Sequence, residues 1–214
     1  MTSRNPIFLN NNYYHAVNFG IDSKIIFNDK KDIDRFLSLL QFYSVKNPPS
    51  RFAFRNRPAA RNSTNPLIPM VEILAYCLMP NHFHILLKQK EENGVNIFMS
   101  KISNSYIKYY NARQKRSGTL FRGAFKAREI PGENLSAVSR HIHLDPLLKG
   151  LIRFLPSFPF SSFPQYLGEK DGFCIKTDIL KNFSSAATYK EFVMNQEEYK
   201  QSIPQINSLM LEKS

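Results

Sequence analysis

Apolar positions along the chain follow two periods. Residues 13–20, YYHAVNFG, are aromatic and β-branched and end at a glycine, which predicts a strand. Next, Ile33, Phe36, Leu37, Leu40 and Tyr43 recur at helical spacing, predicting a helix over 29–45 with Asn28 or Asp29 as its cap. MVEILAYCL (70–78) and HFHILLKQ (82–89) read as two strands of a central hairpin, joined by a tight turn at Met79-Pro80-Asn81. Phe98, Ile102, Tyr106 and Tyr109 share one stripe of a helix predicted over 93–115, ended by Ser117-Gly118. A short strand over 123–130 follows. The next predicted helix covers 133–145 and stops at Pro146, because the residue before a proline resists helical geometry. Residues 46–69 hold Pro48, Pro49, Pro58, Pro66 and Pro69 among arginines and asparagines, without periodicity, and read as a long basic loop.

The order β-α-β-β-α-β-α predicts an α+β fold of the ferredoxin-like, split βαβ kind: an antiparallel central sheet with an added helix. Residues 1–150 hold this pattern. Residues 151–214, with Pro156, Pro159 and Pro164 and a helix near 188–200, read as a helical extension packing on or near the same domain. The start, MTSRNPIFLN, has no basic segment followed by an apolar run, and no stretch is long enough to span a membrane, so a cytoplasmic protein with no membrane partner is expected. Cys77 and Cys174 form no CxxC and read as two reduced structural thiols.

Charge narrows the partner. The net charge is +12, which suits a polyanion. Between Gly94 and Arg128 there is no acidic residue, while Lys101, Lys108, Arg113, Lys115, Arg116, Arg122, Lys126 and Arg128 all fall there. Phe98, Tyr106, Tyr109, Tyr110, Phe121 and Phe125 interleave with them. Cations neutralise phosphates and aromatic rings stack on bases, so the mixture suits single-stranded nucleic acid. Arg113, Lys115, Arg116, Arg122, Lys126 and Arg128 are the expected phosphate contacts. A second acid-free segment carries Lys46, Arg51, Arg55, Arg57 and Arg61.

The candidate chemistry lies in MPNHFHILL. Alternate residues of a strand share a face, so His82 and His84 point the same way, about 7 Å apart at their Cα atoms, while Phe83, Ile85 and Leu87 pack on the other side. Two imidazoles so placed can converge on one divalent ion. A third ligand must come from elsewhere, and a hard ion acting on phosphate takes oxygen readily. SRHIHLDPLLKGLI offers Asp145, with His141 one turn before it on the same helix face and His143 between them.

In its ordered segments the chain resembles the HUH-family single-tyrosine transposases, in their REP-associated branch. YYHAVNFGIDSKIIFNDKKDIDRFLSLL is similar to that family's first strand and helix, and AYCLMPNHFHILLKQ to its metal strand. SYIKYYNARQKRSGTLFRGAFKAREI is similar to the following helix and basic loop, HIHLDPLLKGLI to the nucleophile helix, and FPFSSFPQYLG to the C-terminal segment. The resemblance implies a metal-dependent enzyme that binds single-stranded, hairpin-flanked DNA and nicks and transfers strands in transposition. Its metal, Mg²⁺ or Mn²⁺, would sit on His82, His84 and a third polar ligand, and a tyrosine would form a 5′-phosphotyrosine link and free a 3′-OH. A homodimer is one assembly open to it. Asp145 stands where the family usually has asparagine. His141 stands at the nucleophile position, and the 133–145 helix contains no tyrosine. Three readings stay open: cleavage is lost and a nucleic-acid-binding regulator remains; His141 is itself the nucleophile; or another tyrosine attacks, with Tyr13, Tyr14, Tyr106, Tyr109 and Tyr110 as candidates. A zinc hydrolase built on His82, His84, His141 and Asp145 is a further alternative on ligand types alone.

Overall fold

The computed structural model of the chain describes residues 6–48, 50, 52–54 and 66–211, apart from the side chain of Gln205. Four strands, β1 (Tyr13–Phe19), β2 (Val71–Met79), β3 (His82–Gln89) and β4 (Lys126–Ile130), form one sheet in the order β2-β3-β1-β4. Every neighbouring pair is antiparallel. With α1 (Lys30–Tyr43) between β1 and β2, and α2 (Gly94–Arg113) between β3 and β4, this is the split βαβ arrangement expected. Asp29 caps α1, its carboxylate accepting from the Lys31 and Asp32 amides.

Strand parity sorts the side chains into two cores. Tyr14, Ala16, Phe83, Ile85 and Leu87 point to one face and pack under Phe36 and Leu40 of α1 and Phe98, Ile102 and Tyr106 of α2. Each phenylalanine, isoleucine and leucine among them contributes about 2 kcal/mol by leaving water. The opposite face, with Cys77, Met79, Leu86 and Ile130, is covered by α3 (Leu135–Leu148) through Leu135, Val138 and Ile142. The chain beyond α3 folds against the same core through short helices, α4 (Phe163–Tyr166) and α5 (Thr177–Leu180), and then α6 (Ala186–Met194) and α7 (Gln196–Ile206).

Several boundaries differ from the sequence reading. The helix expected to stop at Pro146 runs on to Leu148 with the proline inside it. Proline there gives up one i→i−4 amide bond, and the turn is still closed beyond it by the Lys149 amide on Asp145 O at 2.9 Å. The strand expected from 123 begins at Lys126, since Gly123 adopts a φ of 110°. The helix expected over 93–115 ends at Arg113, where the Gln114 amide returns to Tyr110 O at 2.9 Å. The single helix expected near 188–200 is two, broken at Asn195, whose side chain leaves α6 to cap α7 by accepting from the Glu198 amide. Of the proline-rich loop, residues 49, 51 and 55–65 lie outside the described residues, and with them Arg51, Arg55, Arg57 and Arg61. Its described parts touch the domain: Val45 bridges to Pro69, and the Phe52 ring stands 5.1 Å from that of Phe42.

Candidate metal centre and nucleic-acid interface

The α3-covered face carries the polar chemistry. His82 and His84 project from β3 on this side, as their parity requires, and Asp145 comes down onto them from α3. One ligand atom from each, two imidazole nitrogens and a carboxylate oxygen, lie within 4.8 Å of one another. His82 Nε2 is 3.0 Å and His84 Nε2 3.7 Å from Asp145 Oδ2. Ligands at right angles around a small divalent ion stand roughly 3 Å apart, given bond lengths of about 2.1 Å. All three residues are buried.

The donor set fits a cation. His82 Nδ1 lies 2.8 Å from Asn81 Oδ1, an oxygen that can only accept, so Nδ1 carries the proton. Nε2 then turns a lone pair toward a carboxylate oxygen, an arrangement that only a proton or a metal ion reconciles. Asp145 Oδ1, also buried, has no hydrogen-bond partner among the described residues. His84 is oriented in the same manner: its Nδ1 lies 2.9 Å from His15 Nε2, so a proton on Nδ1 leaves Nε2 for a metal. A histidine's second nitrogen commonly fixes its tautomer in this way at metal sites.

The sequence reading missed His15. Its signal was parity: Val17 pairs with His84, so His15, two residues away on β1, shares the histidine face.

On α3, His141 lies one turn from Asp145 but is not brought into the ligand cluster. Its Nδ1 is 2.6 Å from the hydroxyl of Tyr199 on α7, and its ring centre is 6.4 Å from that of His84. Arg140, beside it, is buried. One guanidinium nitrogen lies 3.3 Å from Glu198 Oε1, and the other donates to Ser202 Oγ at 2.9 Å. His143 points elsewhere, into the second core, between Ser162 Oγ at 2.7 Å and the Tyr189 hydroxyl at 2.9 Å. Burial pushes its pKa down to about 3, which keeps it neutral.

The six basic residues separate into groups. Lys126 and Arg128 stand on β4 opposite Val17 and His15, on the histidine face. They line a cleft of about 490 Å³ with Pro204, Asn207 and Met210 from the end of the chain. Lys115 and Arg122 lie in the loop between α2 and β4, where Arg122 is exposed and its amide returns to Phe19 O at 2.8 Å. Arg116 donates to Thr119 O at 2.8 Å. Arg113 pairs with both Asp29 and Asp32, which hold its guanidinium firmly protonated and lower the Asp29 carboxyl far below its ordinary range. That bidentate pair ties α2 to the start of α1 and engages the side chain within the molecule. Among the described residues no helix is long and apolar enough to cross a membrane.

Comparison with known proteins agrees with this geometry. Residues 68–144 match the family model described as transposase IS200 like, a segment that includes His82, His84 and His141 and stops one residue before Asp145. No curated protein matches in sequence. Among solved structures, a REP-associated tyrosine transposase bound to a REP hairpin is similar in fold, with a TM-score of 0.55 at 13% identity, over 86% of this chain and 96% of that one. A bacterial tRNA(His) guanylyltransferase (Thg1)-like protein in complex with GTP matches more loosely, with a TM-score of 0.40 at 7% identity, over 66% of this chain and 64% of that one. Over the matched segment and in its fold, the chain is thus similar to the IS200-like and REP-associated tyrosine transposases.

Proposed function

We propose that the protein binds single-stranded DNA beside a hairpin and, with Mg²⁺ or Mn²⁺ on His82, His84 and Asp145, nicks it and transfers the cut strand. The observation that carries this reading is the buried cluster of two imidazoles and a carboxylate, donor types suited to such an ion, on the face that also presents Lys126 and Arg128. A bound divalent ion there would draw negative charge from the scissile phosphate. The protein's own groups do the rest. His15 and Asn81 hold the two histidines in register. Lys126 and Arg128 at the sheet edge, with Lys115, Arg116 and Arg122 in the adjoining loop, attract the phosphate backbone. Intramolecular pairing of Arg113 leaves it a smaller share of that task. The hairpin on the structural relative supports a hairpin-flanked target for this chain.

The test uses 5′-labelled and 3′-labelled single-stranded hairpins incubated with Mn²⁺ and the wild-type protein, beside His82→Ala. Cleavage by wild type that His82→Ala loses is the expected outcome. His141 at the position of the family's tyrosine favours a second reading, a DNA-binding regulator that does not cut; hairpin binding without any cleavage would select it.

A further inference from the structure

Position 141 offers an imidazole, yet a phenol lies against it. Tyr199 comes from α7, 58 residues along the chain, and its hydroxyl is 2.6 Å from His141 Nδ1. The rings stack at 6.1 Å with an interplanar angle of 25°. His141 also meets His84, at 6.4 Å between ring centres, so the imidazole touches both the phenol and a member of the ligand cluster. Arg140 fixes α7 on both sides of Tyr199, through Glu198 and Ser202, and its guanidinium lies 5.6 Å from the Tyr199 ring centre. A hydroxyl within hydrogen-bond reach of a base that itself meets the candidate metal cluster is the arrangement of an activated nucleophile. We propose that Tyr199 is the nucleophile of this site and His141 its general base, α7 supplying the hydroxyl that α3 does not carry. The inference rests on the nicking reading above.

Four other tyrosines fit the role less well. Tyr106, Tyr110 and Tyr166 donate to backbone carbonyls, which hold a phenolic proton without removing it. Tyr189 also meets an imidazole, that of His143, but both are fully buried in the second core. Tyr199 and His141 keep 4% and 8% exposure at the margin of the site. Among the described side chains of α7 only Tyr199 and Ile206 are buried, so most of this helix faces solvent.

The step balances as a transesterification. The Tyr199 hydroxyl oxygen attacks phosphorus as the bond from phosphorus to the 3′ oxygen breaks. The phenolic proton passes to His141 Nδ1, and the departing 3′ oxygen takes up a proton. The fragment downstream of the break stays on the protein through its 5′ phosphate as a phosphotyrosine ester, and the upstream fragment ends in a free 3′-OH.

The experiment incubates a 3′-labelled hairpin with Mn²⁺ and the full-length protein, maps the adducted residue by mass spectrometry, and repeats this with Tyr199→Phe and His141→Gln. The expected result is an acid-stable adduct on Tyr199, lost at least about a thousandfold in Tyr199→Phe. In His141→Gln it forms roughly 10²–10⁴-fold more slowly but still on Tyr199, the usual range for a missing base. An adduct on His141, which acid would release, or on another tyrosine, or undiminished capture by Tyr199→Phe, would overturn the inference and leave the nicking reading standing. Wild-type protein that binds the hairpin and never cuts it would overturn both. Tyr199→Phe keeps its ring in the core, and unchanged hairpin affinity would show that it folds; were it to unfold, the wild-type adduct map decides alone. In metal-free protein, an alkyl fluorophosphonate should label Tyr199 at least tenfold faster in wild type than in His141→Gln; equal rates would overturn the role given to His141.

Discussion

Manganese should raise the unfolding temperature of the wild-type protein and leave that of Asp145→Ala unchanged. Two imidazole nitrogens lie 3.0 and 3.7 Å from one carboxylate oxygen, all on buried residues. A cluster this compact is assembled only in the folded chain, so an ion that binds it stabilises the folded state by mass action. At a free concentration a hundred times Kd, that stabilisation is about 2.7 kcal/mol. For a chain of 214 residues each kcal/mol moves the midpoint by about 2–4 °C, so a rise of roughly 5–10 °C is expected. Asp145→Ala and His82→Ala should each abolish the rise. Thermal unfolding followed by circular dichroism over a Mn²⁺ titration measures all three proteins. An equal rise in wild type and both variants, or no rise at millimolar Mn²⁺, would refute the site.

Replacing Lys126 and Arg128 together by alanine should reduce the salt slope of single-stranded DNA binding by about 1.4, at ~0.7 for each phosphate no longer neutralised; Arg116→Ala with Arg122→Ala should flatten it in the same direction, and unchanged slopes in a fluorescence-anisotropy titration would exclude these residues from the interface. Arg113→Ala should behave oppositely, lowering the melting temperature by separating Asp29 and the buried Asp32 from their partner, with little effect on that slope. Burial holds the Cys174 thiol up at about 12 against an ordinary value of 9.0, so the unfolded chain loses this proton first as pH rises. The thiol's contribution is complete below pH 9 and is lost between pH 9 and 12, at about 1.4 kcal/mol per unit. Urea unfolding at pH 8 and pH 10 should therefore show a drop in wild type that exceeds the drop in Cys174→Ala by about 1.4 kcal/mol.

The sequence carried the histidine strand because its information is local. A period of two places His82 and His84 together whatever surrounds them, and Pro80-Asn81 marks where the strand must start. His15 was harder to see, since it joins the histidine face only once β1 and β3 are paired, and pairing is a property of two segments. The basic residues show the limit of reading charge along the chain. Arg113 looked like its neighbours until folding brought Asp29 and Asp32, 84 and 81 residues away, against it. Tyr199 had no signal, because QEEYKQS is a polar stretch whose one ring faces inward only when α7 lies against α3.

Helix α3 explains why those long-range pairings matter to the site. Every residue from Val138 to Pro146 is buried, although Arg140, His141, His143 and Asp145 are polar. A helix surrounded on all sides tolerates such residues only when each finds a partner. Arg140 finds Glu198 and Ser202, His141 finds Tyr199, and His143 finds Ser162 and Tyr189. These partners all come from the segment after α3, and they meet it at successive positions around its axis. Together they fix the rotation of the helix over the sheet, and that rotation aims Asp145 at the two histidines. The C-terminal segment thus helps to place the candidate metal cluster, and, on the proposed reading, weakening it at Arg140 should lower Mn²⁺ affinity while His82, His84 and Asp145 all remain in the chain.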